Sequence, residues 1–250
     1  MDAFATNPRV GRRDALYFLG SFVAVGFLTS ACGDDDSSIG SPTSPSTTPT
    51  AANAQCIVTP QVTEGPYFVD ERLNRADIRS DPTTGTVKAG VPLSITVALS
   101  QIAVSGACSP LAGALVDIWH CDALGLYSDV GQLGTLGQKF LRGYQVTDSS
   151  GIARFTTVYP GWYTGRAVHI HFKVRTSPGA ASGLEFTSQM FFDEALTDIV
   201  HAQAPYSGKG RRDTTLSTDS IYQSGGTDLL YPLSASGTGY AGTFSVGVRV

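Results

Sequence analysis

Two of the four histidines in the chain stand together as His169-Ile170-His171. In an extended strand, residues two apart project from the same face, so both imidazoles can reach one point while Ile170 faces the other way. That arrangement suits a metal ion, although an isolated H-x-H is more often a hydrogen-bonded structural pair, and the neighbouring residues decide between them. Just upstream, Tyr159-Pro160-Gly161-Trp162-Tyr163-Thr164-Gly165-Arg166 is rich in turn formers and would fold back over the start of the histidine strand. A tyrosine and an arginine are thereby brought beside the pair, and residue types alone leave both Tyr159 and Tyr163 as candidates. A neutral phenol, with a pKa of about 10, is a poor ligand, but a trivalent cation displaces its proton. Two imidazoles with anionic phenolate oxygens suit iron(III), in contrast to the two-histidine, one-carboxylate sites of ferrous oxygenases.

The elements around these residues are short and extended. Leu93 to Ala98, Ala114 to His120, Phe140 to Thr147, Ala153 to Val158, Val168 to Val174 and Thr243 to Val250 alternate apolar and polar residues with β-branched enrichment. Turn signals such as Asp148-Ser149-Ser150-Gly151 separate them. The spacing predicts an all-β fold, a β-sandwich with long connecting loops and one short helix, Glu194 to Ala202. Pro205 to Tyr231, rich in Gly, Ser, Thr and Asp with little periodicity, reads as a long ordered loop wrapping the sandwich, and such loops often shape active sites.

Composition agrees with a single globular unit. The chain is 42% hydrophobic, 10% aromatic and 15% charged, and its 28 Gly and 13 Pro favour turns over long helices. A formal charge of −4 lacks the basic excess that binding a phosphate backbone requires, so no nucleic-acid partner is expected. Nucleophile-elbow, phosphate-loop, dinucleotide-glycine and H-E-x-x-H motifs do not occur.

Four ordered segments resemble the intradiol ring-cleavage dioxygenase family, across nearly all of residues 55 to 250. They are Thr63-Glu64-Gly65-Pro66-Tyr67-Phe68, Val116 to Ala123 leading to Gly125-Leu126-Tyr127, Phe140-Leu141-Arg142-Gly143, and Pro160 through His171. The resemblance implies Tyr127 and Tyr163 as equatorial and axial tyrosine ligands, with His169 and His171 as the histidine ligands of Fe(III). It implies that Arg166 stabilises charge near the substrate and that Gln189, in Ser188-Gln189-Met190-Phe191-Phe192, is an active-site glutamine. The reaction partners it implies are a small aromatic diol and O2, with a cis,cis-muconic acid derivative as product. Arg142, Asp117 and Tyr67 are expected either to line the pocket or to brace strands and turns. Tyr159, His120 and His201 are expected to be structural, and Trp119 and Trp162 to be core or pocket wall.

The N-terminus carries Arg12-Arg13, the apolar run Ala15 to Leu28 and small residues ending at Cys32. This pattern, shorter than the roughly 20 residues of a bilayer-spanning helix, predicts a twin-arginine export signal over 1–32. Thr29-Ser30-Ala31-Cys32 resembles a lipobox whose Leu sits one place early, which leaves open a membrane tether through lipidated Cys32. Residues 33–54 read as a solvated Ser/Thr/Pro-rich linker, and 55–250 as the folded domain. Export implies an oxidising compartment, and polar, turn-like surroundings favour pairing Cys56 with Cys108 over Cys121. Two competing readings remain at this level: a noncatalytic exported sandwich that binds polysaccharide or aromatic polymer, and a metal-binding or structural surface lipoprotein.

Overall fold

The computed structural model describes residues 57–177 and 183–249, all within one unit, Ala51–Val250. The export signal, the linker, Cys32 and Cys56 lie outside the described residues. Cys108 is disulfide-bonded, whereas Cys121 is a buried free thiol.

The described strands form two packed sheets. In the first, β1 (Pro92–Ile102) runs parallel to β9 (Gly239–Arg249). Its other edge pairs antiparallel with β5 (Ile152–Val158) and then β2 (Cys108–Pro110), and β8 (Ser234–Ser236) extends β9. The second sheet is antiparallel in the order β4 (Arg142–Val146), β3 (Leu115–Trp119), β6 (His169–Arg175), β7 (Glu185–Phe191). The expected all-β sandwich is thus the observed fold.

Alternation decides which residues enter the core. Leu93, Ile95, Val97 and Leu99 of β1, with Phe155, Phe244 and Val246, face Val116, Ile118, Ile170, Phe172 and Val174 of the second sheet. Phe172 meets Phe244 edge-on across the layer at 5.7 Å. Each such fully buried side chain contributes about 1.5–3 kcal/mol relative to exposure. The opposite face of β6 carries His169, His171, Lys173 and Arg175, which are also buried. Buried charge must be paired, and the segment 63–70 supplies the partners. Lys173 pairs with Glu64 and lies 4.1 Å from the Phe68 ring centroid. Arg175 bridges Asp70 at 2.9 Å and donates two hydrogen bonds to Asp117. This segment is therefore strapped across the outer face of the second sheet, directly over the histidines.

β2 and β8, three residues each, are too short to show alternation, and two longer elements depart from expectation. β7 escaped the pattern because Phe186 and Met190 enter the core while Phe191 occupies the other face, so apolar residues fall on both sides and the period of two is lost. The helix α1 (Glu194–His201) matches its expected position, capped by Asp193, which accepts from the Leu196 N–H. The stretch 205–231, expected as loop, contains a second short helix, α2 (Ser220–Gly225), between two 3-10 turns at Tyr206–Lys209 and Gly226–Leu229. At six residues α2 is too brief to show helical periodicity, and it exists because Asp219 caps it.

Candidate metal centre

Strand register assembles most of the site. Arg142, Trp119, His171 and Gln189 are successive partners across β4, β3, β6 and β7, so they form one row on the outer face. Trp119 stacks on His171, with ring centroids 4.9 Å apart and planes 7° from parallel. His169, two residues earlier, lies beside it on the same face. The P-G-W-Y turn then returns Tyr163 to the start of β6, its carbonyl accepting from the Arg166 N–H.

The polar tips converge. The Nε2 atoms of His169 and His171 are 3.0 Å apart, and Tyr163 Oη lies 3.1 Å from His169 Nε2. His169 Nδ1 donates to the Ala167 carbonyl at 2.6 Å, which leaves Nε2 as the lone-pair atom facing the other groups. Tyr127 packs edge-on to Tyr163 and to His171, at centroid separations of 5.6 and 6.1 Å. Its hydroxyl is buried and makes no well-formed hydrogen bond among the described residues, with the Tyr163 phenol the polar neighbour that acts on it. Gly125 makes this approach feasible: a Cβ there would stand 2.1 Å from the Trp162 carbonyl.

Electrostatics point the same way. Burial, reinforced by Arg166, holds His169 down to about 3, and burial with His169 holds His171 well below its ordinary value. Both imidazoles are therefore neutral donors. Burial pushes Tyr163 up to about 12, against the pull of Arg166, and Tyr127 well above the usual phenol range, with Tyr163 adding to the rise. Two such phenols ionise only beside a concentrated positive charge. Among the described residues no group of three or more His, Cys, Asp or Glu side chains forms a metal cage, so a metal held here takes its ligands from tyrosine and histidine together. An orphaned buried phenol, two converging imidazole nitrogens and a second phenol in contact fit a hard trivalent ion such as iron(III).

Arg166 and Gln189 meet at the edge of this cluster. Arg166 Nη2 donates to Gln189 Oε1 at 2.6 Å, and Gln189 Nε2 donates to the Thr63 carbonyl at 2.8 Å. Arg166 Nε donates to Asp219 Oδ2 at 2.9 Å. Asp219 was not singled out by sequence; an Asp three residues before a tyrosine in a polar loop carries no local signal beyond a helix cap.

The remaining candidates separate cleanly. Tyr159 is away from the cluster, plugged against Phe192, with its hydroxyl bonded to Thr197. His120 bonds to Thr157 and the Cys121 carbonyl, and His201 to the Pro160 carbonyl. Asp117 braces Arg175. Arg142 is a brace as well, donating to Ser128 Oγ, the Ser128 carbonyl and the Tyr67 carbonyl at 2.7, 2.5 and 2.7 Å. Tyr67 does reach the site, stacked over Tyr127 at 4.5 Å. Trp162 is half-buried and donates from Nε1 to the Gly210 carbonyl.

The family model described as Dioxygenase matches residues 63–219, well over half of the chain and every residue of this cluster. The chain belongs to the intradiol ring-cleavage dioxygenase family. It is 30% identical to the protocatechuate 3,4-dioxygenase beta chain of Burkholderia cepacia over 167 residues, covering 62% of this chain and 69% of that one. It is 34% identical to chlorocatechol 1,2-dioxygenase of Pseudomonas putida over 102 residues, 33% of this chain, and this match spans only 36% of the relative. Among solved structures, the intradiol ring-cleavage dioxygenase of Tetranychus urticae superposes with a TM-score of 0.68 at 28% identity, over 78% of this chain and 95% of that one.

Proposed function

We propose that this chain is an exported, iron(III)-dependent dioxygenase that opens catechol-type rings between their two hydroxyls, consuming O2 and yielding cis,cis-muconate-type products. The observation that carries this is the convergence of Tyr127, Tyr163, His169 and His171 on one buried point. The names of relatives that act on chlorocatechol and protocatechuate support it. Iron(III), when bound, supplies the charge that converts both phenols to phenolates, draws in a diol as its anion and opens the ring to attack by O2.

The chain's own groups divide the remaining work. His169 and His171 offer neutral lone pairs. Tyr127, shut away from water, suits a permanent ligand. Tyr163, half-buried, suits the ligand that gives way to substrate and takes up a diol proton at Oη. Arg166 keeps Nη1 uncommitted beyond its bonds to Asp219 and Gln189, and its charge offsets the negative charge of a bound diol. Tyr67 roofs the cluster and excludes water. A noncatalytic polymer-binding role leaves these four convergent donors without a purpose.

Export rests on Arg12-Arg13, the apolar run to Leu28 and the linker before the domain, and it points to catechols met outside the cell, such as those released from lignin or plants. A tether through lipidated Cys32 belongs to the same proposal.

The deciding experiment is metal content and the visible spectrum of the purified protein, before and after anaerobic catechol. Near-stoichiometric iron, a tyrosinate charge-transfer band that shifts with catechol, and O2 uptake matched by ring-opened product are expected. Protein that stays colourless after iron loading overturns the proposal.

A further inference from the structure

Asp219 is a carboxylate with no exposed side-chain surface, and it lies outside the ligand set. Its two oxygens divide between the site and a helix cap. Oδ2 accepts from Arg166 Nε at 2.9 Å and from the Ala167 N–H at 2.7 Å. Oδ1 accepts from the Ile221 and Tyr222 N–H groups at 2.8 and 3.0 Å, which starts α2. The main chain of Ala167 continues the chain of contacts, because its carbonyl, in the next peptide plane, accepts from His169 Nδ1 at 2.6 Å. Arg166 continues it in the other direction, through Nη2 to Gln189 and so to the Thr63 carbonyl of the strap. Burial alone would raise this carboxyl, but the Ala167 and Tyr222 amides and the Arg166 charge outweigh it and hold Asp219 below the usual range. It is a permanent anion.

We propose that Asp219 is a positioning residue for ring cleavage, fixing the Arg166 guanidinium and, through the main chain of Ala167, the His169 ring with a single carboxylate. This rests on the proposed dioxygenase function of the same site. Oδ2 spans two donors of different kinds, so the guanidinium cannot rotate about Nε without losing its ion pair, and the peptide plane between Arg166 and Ala167 cannot tilt without losing the same oxygen, which anchors the residue whose carbonyl holds His169. Arg166 Nη1 is thereby held as the free donor, and His169 Nε2 as the free lone pair. The long 205–231 connection acquires a purpose: its α2 cap is the device that delivers the carboxylate.

The test compares Asp219→Asn and Asp219→Ala with Asp193→Ala, which removes the cap of α1 away from the site. Asparagine offers one acceptor oxygen; two adjacent amides, of Ile221 and Tyr222, hold that oxygen to the α2 cap, so its NH2 group is expected to face the Arg166 and Ala167 donors and that half of the network is lost. For Asp219→Asn, kcat for catechol is expected to fall roughly 10–100-fold, the usual range for partners that orient metal ligands, with KM changing far less. The Asp193→Ala variant should lose thermal stability at unchanged kcat. A second readout needs no iron: in 15N-labelled apoprotein, the Arg166 Nε–H and His169 Nδ1–H signals should be slow to exchange in the native chain and should broaden or vanish in both Asp219 variants. Should Asp219→Ala fail to fold, Asp219→Asn decides. Unchanged kcat/KM with both signals intact, alongside a lower Tm, would reduce Asp219 to a helix cap and overturn the proposal. If native protein binds no iron and turns over no catechol, the dioxygenase function fails instead, and loss or persistence of the two proton signals still decides whether Asp219 fixes Arg166 and His169.

Discussion

Trp119 and His171 are register partners whose rings lie parallel and in contact. His169 is oriented by a hydrogen bond from Nδ1, but His171 Nδ1 is buried and has no such partner. Stacking on the indole therefore does for His171 what the Ala167 carbonyl does for His169. Trp119→Leu should weaken iron(III) binding roughly 10-fold, within the range for groups that orient metal ligands, and Trp119→Phe should weaken it less. Titration of the apoprotein followed at the tyrosinate band reads the effect. Equal affinity in all three proteins would mean that the strap alone orients His171.

Gly65 closes the other side of that imidazole. Its φ is +73°, and a Cβ there would stand 3.2 Å from His171 Cε1. Gly85 has the same φ with nothing within 4 Å, which makes it a control for backbone strain alone. Gly65→Ala and Gly85→Ala should each cost about 1–2 kcal/mol for the left-handed conformation. Only Gly65→Ala should also weaken iron binding. Parallel thermal melts and metal titrations separate strain from contact, and equal metal affinity in the two variants would refute a role for Gly65 in seating His171.

How far the sequence reaches is clear from particular residues. Five of the six alternating segments are strands because each has an apolar face that must be buried, a property written in local order, whereas β4, at the sheet edge with Val146 exposed, is held by its pairing with β3. His169 and His171 on one face follow from the same period of two. β7 is unreadable because Phe191 breaks the alternation to pack on Tyr222, a residue 31 positions away in sequence. Asp219 was beyond reach for a related reason, and Arg142 could be named but not assigned between pocket wall and brace. An arginine or aspartate looks the same on the surface as in a buried network, and only the register that sets Arg142 beside Trp119, or the cap that buries Asp219, distinguishes them.

Arg142 ties the two halves of the aromatic cage together, with three bonds to Ser128 and Tyr67 from a side chain only 3% exposed. Arg142→Met would keep much of the volume while leaving those three acceptors unpaired. A loss of about 3 kcal/mol is expected from unsatisfied buried oxygens, read as a lower urea midpoint at unchanged slope. Because Tyr67 stacks on Tyr127, the roof should also loosen, and acrylamide quenching of Trp119 fluorescence should rise, with Trp162→Phe as background to isolate that signal. Unchanged stability would show that water replaces the guanidinium at low cost.

His120 makes the fold sensitive to acid. Burial first, against the Cys121 carbonyl, lowers it to about 4 from its ordinary 6.5. Its neutral ring is locked between that carbonyl and Thr157. The unfolded chain binds the proton more readily than the folded one, so the stabilising effect is complete above pH 6.5 and is lost as pH falls from 6.5 towards 4. The full difference is on the order of 3 kcal/mol. Urea unfolding of the metal-free protein should therefore show stability dropping across that window. His120→Gln should start lower at pH 7.5, having lost its fitted bonds, but decline less steeply, so that the gap between native and variant narrows towards pH 4. A gap that stays constant across the window would place the acid sensitivity elsewhere, in groups other than His120.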